Sequence, residues 1–425
     1  MEKILIKNGR LVDPANNIDE KRDILIEDGK IKEVADCIMQ AGDVKEINAE
    51  GKAVMPGFID LHVHLREPGF EYKETVETGA KAAARGGVTS ICPMPNTKPV
   101  IDSAESVKDL LKRAENAPVH ILPIGACTVG QEGKELADIE GMKEAGIVAL
   151  SEDGKSVMDS SLFRKSLKEA ARLNLPMFSH CEDKALVEGG VMNAGKKAEE
   201  LGLPGITNSV EDVIVARDII MSKEAGNRLH LCHCSTADSV VLVEMAKKQG
   251  LSVSAEVCPH HFTMSDDEIT EDNGRFKMNP PLRSRADVDA LKEGLKNGIM
   301  EVISTDHAPH GEEEKNQTML KAPFGIVGLE TSFALGYTEL VDKGVLTLSQ
   351  LVEKMSVNPA KVLGIDKGNL AQGKAADIVI ADITEEYEID SKKFVSKGKN
   401  TPFDGKKVKG RVITTIVDGK IVYHE

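Results

Sequence analysis

Short apolar runs alternate with amphipathic segments through the middle of the chain, from about residue 56 to 365. Each run has the length of a buried strand, and the segment after it has the periodicity of a helix. The eight candidate strands are GFIDLHVHL, GVTSICPMP, VHILPIGAC, GIVALSED, PMFSHC, RLHLCHC, SVSAEVCPH and MEVISTDHAP. Eight parallel strand–helix units are the number that closes a (β/α)8 barrel, so we predict an α/β fold of the TIM-barrel type over residues 56–365.

The two ends of the chain have a different pattern, in which apolar and polar residues alternate with period two. Asn8-Gly9 and Asp28-Gly29 near one end, and Asp418-Gly419 near the other, are strong hairpin-turn signals. Neither end has enough strands for a core of its own. We therefore expect residues 1–55 and 366–425 to pair into one small, β-sandwich-like domain beside the barrel.

The charge balance argues against polyanionic partners. The 425 residues carry 69 Asp plus Glu against 54 Lys plus Arg, a formal net charge of −15. The chain thus has no overall attraction for nucleic-acid phosphate or an anionic membrane. The apolar runs are shorter than the ~20 residues that span a bilayer. The first residues, MEKILIKNGRLVDP, are typical of neither a signal peptide nor a transit sequence, so we expect a cytoplasmic protein.

The 7 cysteines are scattered through apolar stretches, so we expect reduced thiols and no disulfide framework. Cys232 and Cys234 flank His233, and two interpretations stay open for them. They are either part of a zinc knuckle or small apolar neighbours on a strand, and the sequence has no second Cys/His cluster at zinc-finger spacing.

Polar residues cluster at the carboxyl ends of the candidate strands. In a barrel those ends form the active face, where side chains far apart in sequence meet. His62 and His64 point to the same side of an extended strand and can reach one ion; alone, such a pair is equally typical of a structural role. Further residues complete a set that suits two Zn²⁺ ions, with Mn²⁺ or Co²⁺ as alternatives: Asp153, His180, His233 and Asp306.

Two segments, IDLHVHLREPG and STDHAPHGEEEK, resemble the signature segments of the dihydroorotase family, within the amidohydrolase superfamily. The similarity includes MPNTKP, LSEDG, SHCED, HCST, EVCPHH, MNPPLR and KAPFGIVGLE, and it looks like the class I bacterial type. The resemblance implies a barrel with a binuclear zinc site, a single ion being the alternative. It also implies the reversible cyclisation of N-carbamoyl-L-aspartate to (S)-dihydroorotate and water, in de novo pyrimidine synthesis.

The resemblance implies a role for each candidate ligand. His62 and His64 match the ligands of one ion, and His180 and His233 match those of the other. Asp306 matches an aspartate that is both a ligand and the proton shuttle. The chemistry agrees, because a metal lowers the pKa of its bound water towards ~7, and a carboxylate can carry the proton from that water to the leaving nitrogen.

The bridging position between the ions departs from a common family pattern. Many relatives have a carboxylated lysine at the end of strand four, whereas this sequence has Ser151-Glu152-Asp153-Gly154. A bacterial subgroup that resembles this chain uses aspartate there. We therefore expect Asp153 to bridge the ions, with Lys155 as the alternative.

Substrate recognition is expected at the barrel mouth. Dihydroorotate carries a ring carboxylate, which the planar guanidinium of Arg66 can bind through two hydrogen bonds. A surface ion pair with Glu67 or Glu71 is the alternative for Arg66. The resemblance adds further substrate contacts: His64, Asn96, Asn279, His310 and the backbone at Phe324 and Gly325.

Several nearby residues have a second interpretation. Asn96 could instead be a turn residue in MPNTKP. His310 begins a long polar stretch, HGEEEKNQTMLKAPFG, that is typical of an active-site lid over residues 310–325. His260-His261 and His307 lie near predicted ligands, but the six ligands already named suffice and adjacent residues on a strand face opposite ways, so we expect these histidines to be structural or to support the ligands from behind.

Three functional hypotheses follow. The leading one is an active dihydroorotase with a small-molecule substrate. The second is a related cyclic-amide hydrolase (hydantoinase, dihydropyrimidinase or allantoinase); these enzymes generally keep the bridging lysine and lack the Leu-Arg-Glu-Pro run. The third is an inactive homologue that partners aspartate transcarbamoylase, against which every expected ligand position is filled. A homodimer is expected from base rates, and a transcarbamoylase complex stays open.

Overall fold

The computed structural model describes residues 3–39 and 43–425. Residues 1–2 and 40–42, which belong to the predicted N-terminal part of the small domain, lie outside the described residues. The described strands, in chain order, are β1 (Ile4–Asp13), β2 (Ile18–Glu27), β3 (Lys30–Ala35), β4 (Lys45–Asn48), β5 (Ala53–Pro56), β6 (Phe58–Val63), β7 (Val88–Pro93), β8 (His120–Ile121), β9 (Ile124–Ala126), β10 (Ala149–Ser151), β11 (Met177–Ser179), β12 (Met192–Asn193), β13 (Gly205–Ile206), β14 (Leu229–Leu231), β15 (Val253–Val257), β16 (Val302–Ile303), β17 (Ile378–Asp382), β18 (Tyr387–Glu388), β19 (Lys407–Val408), β20 (Arg411–Val417) and β21 (Lys420–His424).

The central strands are parallel to their neighbours, and all eight candidate strands are present. The first sheet has the order β6-β7-β8, and the next has the order β9-β10-β11-β14-β15-β16. Only Leu122 and Pro123 separate β8 from β9. Beyond β16, His307 forms a parallel bridge with Val63 of β6, so the pairing returns from the last strand to the first. Because the strands are parallel, their carboxyl ends lie at one edge of the sheets.

Helices lie between most of the central strands. Ser103 caps the second helix by accepting a hydrogen bond from the Ser106 backbone N–H, and Asp159 caps the fourth by accepting from two backbone N–H groups. The α-helices are α1 (Val76–Arg85), α2 (Ala104–Arg113), α3 (Ile139–Ala145), α4 (Ser160–Arg172), α5 (Lys184–Val187), α6 (Lys196–Leu201), α7 (Ser209–Ala225), α8 (Ala237–Lys248), α9 (Pro259–Thr263), α10 (Arg285–Lys296), α11 (Glu312–Lys315), α12 (Ser332–Gly336), α13 (Leu348–Val352) and α14 (Asn358–Leu363).

Strands from both ends of the chain share a separate sheet. Its order is β21-β20-β17-β5-β1-β2-β3, with β4 also paired to β1. The two ends meet where β5 pairs with β17 in antiparallel register, Val54 opposite Ile380. The prediction that the termini pair with each other is therefore confirmed.

The predicted turn at Asn8-Gly9 is wrong. Both residues lie inside β1, and the register between β1 and β2 shifts between Ile6 and Gly9. Asn8 has a φ of 66°, and its backbone N–H donates to the Asp23 carboxylate at 3.0 Å. This is a β-bulge, at which an Asn tolerates left-handed backbone while the strand continues. The signals at residues 28–29 and 418–419 are turns, as predicted.

Buried aliphatic side chains join the two ends of the chain to each other and also to the central strands. One cluster joins strands of both termini and includes Ile6, Ile26, Val54, Ile378 and Ile416. A larger cluster joins the central strands to the helices around them. Within residues 3–39 and 43–425, no helix combines the length and apolar character needed to cross a membrane.

Truncating Ile416 tests the shared core of the two termini. Ile416 is fully buried, and we expect Ile416→Ala to lower the free energy of unfolding by about 2–5 kcal/mol because it leaves a cavity. Ile413→Ala on the same strand is the control, since Ile413 is only half-buried. Urea unfolding of both variants measures the difference. Equal, small losses would contradict a core built from both ends.

Candidate metal centre and substrate cavity

The six predicted metal ligands all lie at the carboxyl ends of the central strands. His62 is in β6, and the others follow their strands by one to three residues. All six side chains are buried, with relative exposures between 0% and 6%. Two groups of potential ligand atoms overlap at one carboxylate: the first is His62, His64 and Asp153, and the second is Asp153, His180 and His233.

The Asp153 carboxylate lies between the two histidine pairs. Its Oδ1 atom is 3.3 Å from His62 Nε2 and 3.3 Å from His180 Nδ1. Its Oδ2 atom is 3.5 Å from His64 Nε2. The side chain of Lys155, the alternative bridge, is exposed to solvent. Asp153 is therefore the group that reaches both halves of the centre.

Three of the histidines are oriented by a second hydrogen bond on the far side of the ring. His62 Nδ1 lies 2.8 Å from Glu256 Oε1, and His180 Nε2 lies 2.9 Å from Glu182 Oε2. His64 Nδ1 lies 3.0 Å from the Asn96 side-chain oxygen. A carboxylate or amide oxygen only accepts, so in each ring this nitrogen carries the proton. The other nitrogen then directs a lone pair into the cluster, as in metal-binding histidines.

Inside the cluster, each of these lone pairs faces a carboxylate oxygen or a nitrogen of another histidine ring. His62 Nε2 and Asp153 Oδ1 are buried and have no hydrogen-bond partner among the described residues. His64 Nε2 faces Asp306 Oδ1 at 3.0 Å, and His180 Nδ1 faces His233 Nε2 at 2.8 Å. A second proton on every ring would place several positive charges side by side, whereas divalent cations would satisfy these atoms. The residues present therefore fit a metal centre with imidazole and carboxylate ligands.

The two aspartates are ionised, as metal ligands must be. Burial by itself favours the neutral acid, but the facing histidines, His62 foremost, hold the pKa of Asp153 well below its usual value and also lower that of Asp306. Burial likewise disfavours a charged imidazole, yet Asp153 and Glu182 raise the pKa of His180 to about 10. The carboxylates of the centre thus favour a second proton on His180, and a bound cation would replace that proton and neutralise the same carboxylates.

Three site residues have left-handed backbone. Arg66 has a φ of 61°, His233 of 34° and Asp306 of 48°. For residues with a β-carbon this conformation is strained, and it persists only where the surroundings enforce it. Strain at these positions indicates that the chain bends sharply after the strands to aim the side chains.

A cavity of about 180 Å³ opens beside the cluster. Arg66 reaches it from the loop after β6, where its Nε donates to the Pro309 backbone oxygen at 3.1 Å. Glu67 instead pairs with Arg113 at 3.0 Å. Ten of the twelve predicted site residues line the cavity, and the other two, His62 and His310, touch lining residues. The lining residues are His64, Arg66, Asn96, Asp153, Gly154, His180, His233, Asn279, Asp306, Ala308, Phe324 and Gly325.

Asn96 and the lid segment take part in this arrangement. The Asn96 amide donates to Asp153 Oδ2 at 3.2 Å, in addition to its contact with His64. His310 Nε2 contacts the Phe324 backbone oxygen at 2.8 Å. Asn279 donates to Glu182. Asn96 therefore contacts two predicted metal ligands directly, whereas Asn279 reaches His180 through Glu182.

His260 and His261 are not on a strand, so the argument that they face opposite ways does not hold. They lie in α9, both buried, with ring centroids 4.2 Å apart, and His261 Nε2 donates to the Pro280 oxygen at 2.9 Å. His307 contacts Glu74 at 3.3 Å. Cys232 and Cys234 are free, buried thiols. A structural role for these histidines stays a prediction.

Comparisons with known proteins agree with the geometry. Residues 51–239 match the family model described as Dihydro-orotase-like. The chain is 50% identical over 423 residues to a dihydroorotase from Pelotomaculum thermopropionicum, covering 100% of this chain and 99% of that protein. It is 49% identical over 424 residues to a dihydroorotase from Acetivibrio thermocellus, covering 99% of each. The chain belongs to the dihydroorotase family.

Solved structures of hydantoinases and dihydropyrimidinases have a fold similar to that of this chain. The L-hydantoinase (dihydropyrimidinase) from Arthrobacter aurescens superposes with a TM-score of 0.90 at 30% identity, over 100% of this chain and 96% of that one. The dihydropyrimidinase from Brevibacillus agri gives a TM-score of 0.86 at 26% identity, over 99% and 95%. The fold is thus shared with these enzymes, while the sequence is more similar to dihydroorotases.

Glu256 is a functional residue that the sequence analysis missed. It is fully buried in β15 and contacts His62 Nδ1 at 2.8 Å, His230 Nε2 at 3.1 Å and the His233 backbone N–H at 3.1 Å. Burial opposes its charge, but His230 and His62 keep the pKa of Glu256 below its usual value. The one available signal was an acidic residue in the apolar run SVSAEVCPH, because buried charges are rare unless they are paired.

Replacing Glu256 tests whether its carboxylate orients the His62 ring for metal binding. We expect Glu256→Gln to weaken zinc affinity by about 10–100-fold, because the charge that holds the His62 ring is lost. Ser254→Ala is the control, since Ser254 Oγ contacts His230 Nδ1 at 2.9 Å and not His62. Competition with a chromogenic chelator measures the affinity. Unchanged zinc affinity in Glu256→Gln would contradict this role.

Proposed function

We propose that this chain is a dihydroorotase of the class I bacterial type, which interconverts N-carbamoyl-L-aspartate and (S)-dihydroorotate in pyrimidine synthesis. One observation carries the proposal: a cavity that combines a complete set of metal ligands with the Arg66 guanidinium. The ligand set suits hydrolysis of a cyclic amide, and the guanidinium suits a substrate with a carboxylate. The identity of about 50% to dihydroorotases over the full chain supports the same reaction.

We infer that two divalent ions, zinc by the chemistry of the donors, bind in this centre. His62 and His64 would hold one ion and His180 and His233 the other, with Asp153 shared. Such ions make water a nucleophile at neutral pH and polarise the carbonyl of the ring. The burial of the four histidines around the Asp153 carboxylate supports this assignment.

Asp306 is positioned to move the proton. Its carboxylate lines the cavity and is 3.0 Å from His64 Nε2, and its lowered pKa keeps it ionised and able to accept a proton. In ring opening it takes the proton of the attacking water and delivers it to the departing ring nitrogen. In ring closure the same carboxylate acts in the reverse order.

Substrate selection depends on Arg66, which lines the same cavity. The Arg66 guanidinium is held by the Pro309 oxygen and lies 3.3 Å from His310 Nε2. Lys73 adds a second positive charge, with its Nζ 3.1 Å from His310 Nδ1. We infer that these groups receive the ring carboxylate, while Asn96, Asn279 and the backbone at 324–325 contact the ring.

We further infer a closed eight-stranded barrel over residues 56–365 and a β-sandwich-like domain from residues 1–55 and 366–425. The bridge between Val63 and His307 supports closure. An interior apolar cluster with members on most of the central strands, such as Leu61, Phe178 and Val302, also supports it. A homodimer, a transcarbamoylase complex and a cytoplasmic location stay predictions.

Asp153→Ala and Lys155→Ala distinguish the two bridge candidates and test the reaction. We expect the purified, zinc-loaded chain to hydrolyse dihydroorotate and to lose this activity on chelation. Asp153→Ala should lose at least about a hundredfold in kcat together with bound zinc, because both ions lose a ligand. Lys155→Ala should keep both. No turnover by the zinc-loaded chain would reject the function, and loss of zinc in Lys155→Ala alone would reject Asp153 as the bridge.

Arg66→Ala separates a dihydroorotase from its cyclic-amide relatives, whose solved structures share this fold. We expect kcat/KM for dihydroorotate to fall about a hundredfold, because two charge-assisted hydrogen bonds are lost. Activity on dihydrouracil or hydantoin, which lack the carboxylate, should change little. Arg113→Ala, which removes surface ion pairs with Glu67 and Asp109, is the control. Equal losses on both kinds of ring would favour a hydantoinase-type enzyme.

A further inference from the structure

The predicted lid segment contains a buried lysine to which the reaction assigns no role. Lys315 is the last residue of α11 and is 4% exposed. Its ammonium group donates to three backbone oxygens, those of Lys277 at 2.9 Å, Pro323 at 2.9 Å and Gly325 at 2.8 Å. An ammonium has three donors and no acceptor. Lys315 therefore directs its whole hydrogen-bonding capacity at the backbone around Gly325.

This placement is unfavourable for the charge. Burial, with smaller contributions from Lys277 and Arg66, lowers the pKa of Lys315 to about 7. A lysine in a polar segment normally avoids this cost by pointing into solvent, as Lys321 in the same segment does. The carbonyl oxygens compensate for the lost water, so the ammonium holds two backbone segments together, 323–325 and the one at Lys277.

Asn400, from the C-terminal part of the chain, holds the same backbone from the other side. Its side-chain nitrogen donates to the Gly325 oxygen at 3.1 Å and to the Ala308 oxygen at 3.1 Å. Its side-chain oxygen accepts from the His310 backbone N–H at 3.1 Å. The Gly325 oxygen therefore receives one hydrogen bond from Lys315 and one from Asn400.

The backbone fixed in this way faces the substrate cavity. Phe324 and Gly325 both line it, together with the predicted metal ligands His64, Asp153, His180, His233 and Asp306. Gly325 has a φ of 129°, and a Cβ there would come within 2.7 Å of the Ala308 Cβ, so only glycine allows this close approach. The Lys277 ammonium lies 4.3 Å from the centroid of the Phe324 ring.

We propose that Lys315 is a positioning residue for substrate binding, which holds the Phe324–Gly325 backbone, together with Asn400, in the orientation that receives the ring of the substrate. The inference rests on the proposed function, because dihydroorotate is the ring in question. Lys315 touches neither the metal ligands nor the reacting atoms. Its loss should therefore weaken binding of the ground state and of the transition state equally.

Lys315→Met tests this role, since methionine keeps an apolar stem and removes all three donors. We expect KM for dihydroorotate to rise at least about tenfold, with kcat within about threefold of the parent and zinc content unchanged. Amide hydrogen exchange of residues 311–326 should become faster, because the segment loses its anchor. Asn400→Asp, which keeps the acceptor and loses the donor, should show the same pattern. Lys321→Met is the matched control and should leave all four readouts unchanged.

Other outcomes overturn the proposal. A KM within twofold of the parent in both Lys315→Met and Asn400→Asp would show that the segment needs neither residue. A parallel loss of kcat, zinc and thermal stability would show that Lys315 supports the whole fold instead. If the parent chain does not turn over dihydroorotate, the proposed function fails. The exchange measurement then decides by itself whether Lys315 holds the segment, and unchanged exchange rejects it.

Discussion

The rest of the structure depends on one buried carboxylate, that of Asp153, enclosed by four imidazoles. A buried charge is tolerated only when its surroundings supply opposite charge and hydrogen bonds. Here the surroundings are rings whose outer nitrogens are fixed by Glu256, Asn96 and Glu182. The second nitrogen of each of these rings therefore faces the Asp153 carboxylate. The candidate metal ligands are thus held in place by hydrogen bonds from residues behind them.

The architecture explains how distant parts of the chain reach this carboxylate. Parallel strands deliver their carboxyl ends to one edge, and left-handed residues such as His233 and Asp306 turn the chain there. The C-terminal part of the chain also reaches this edge. Glu74 is fully buried and accepts hydrogen bonds from Ser396 and from His307, the neighbour of Asp306. The C-terminal part of the chain therefore helps to hold the backbone next to Asp306.

Much of this could be predicted from the sequence, for a physical reason. Buried parallel strands have apolar runs that end in polar residues, so the sequence alone predicts the parallel strands and the six polar side chains that are buried at their ends. Contacts of polar side chains that become buried only in the folded chain cannot be predicted in this way. Lys315 stands in the polar run GEEEKNQ and has the appearance of a solvent-exposed residue, yet three carbonyl oxygens surround its ammonium. Likewise, Asn8-Gly9 has the composition of a turn but forms a bulge, because β1 is held by partners on both sides.

The central claim is that Asp153 joins two metal ions held by two histidine pairs. Anomalous diffraction at the zinc absorption edge, from crystals of the zinc-loaded chain, tests it directly. The account predicts two peaks, on either side of the Asp153 carboxylate and each about 2.0–2.2 Å from one of its oxygens. A single peak, or two peaks bridged by Lys155 with Asp153 turned away, would contradict it.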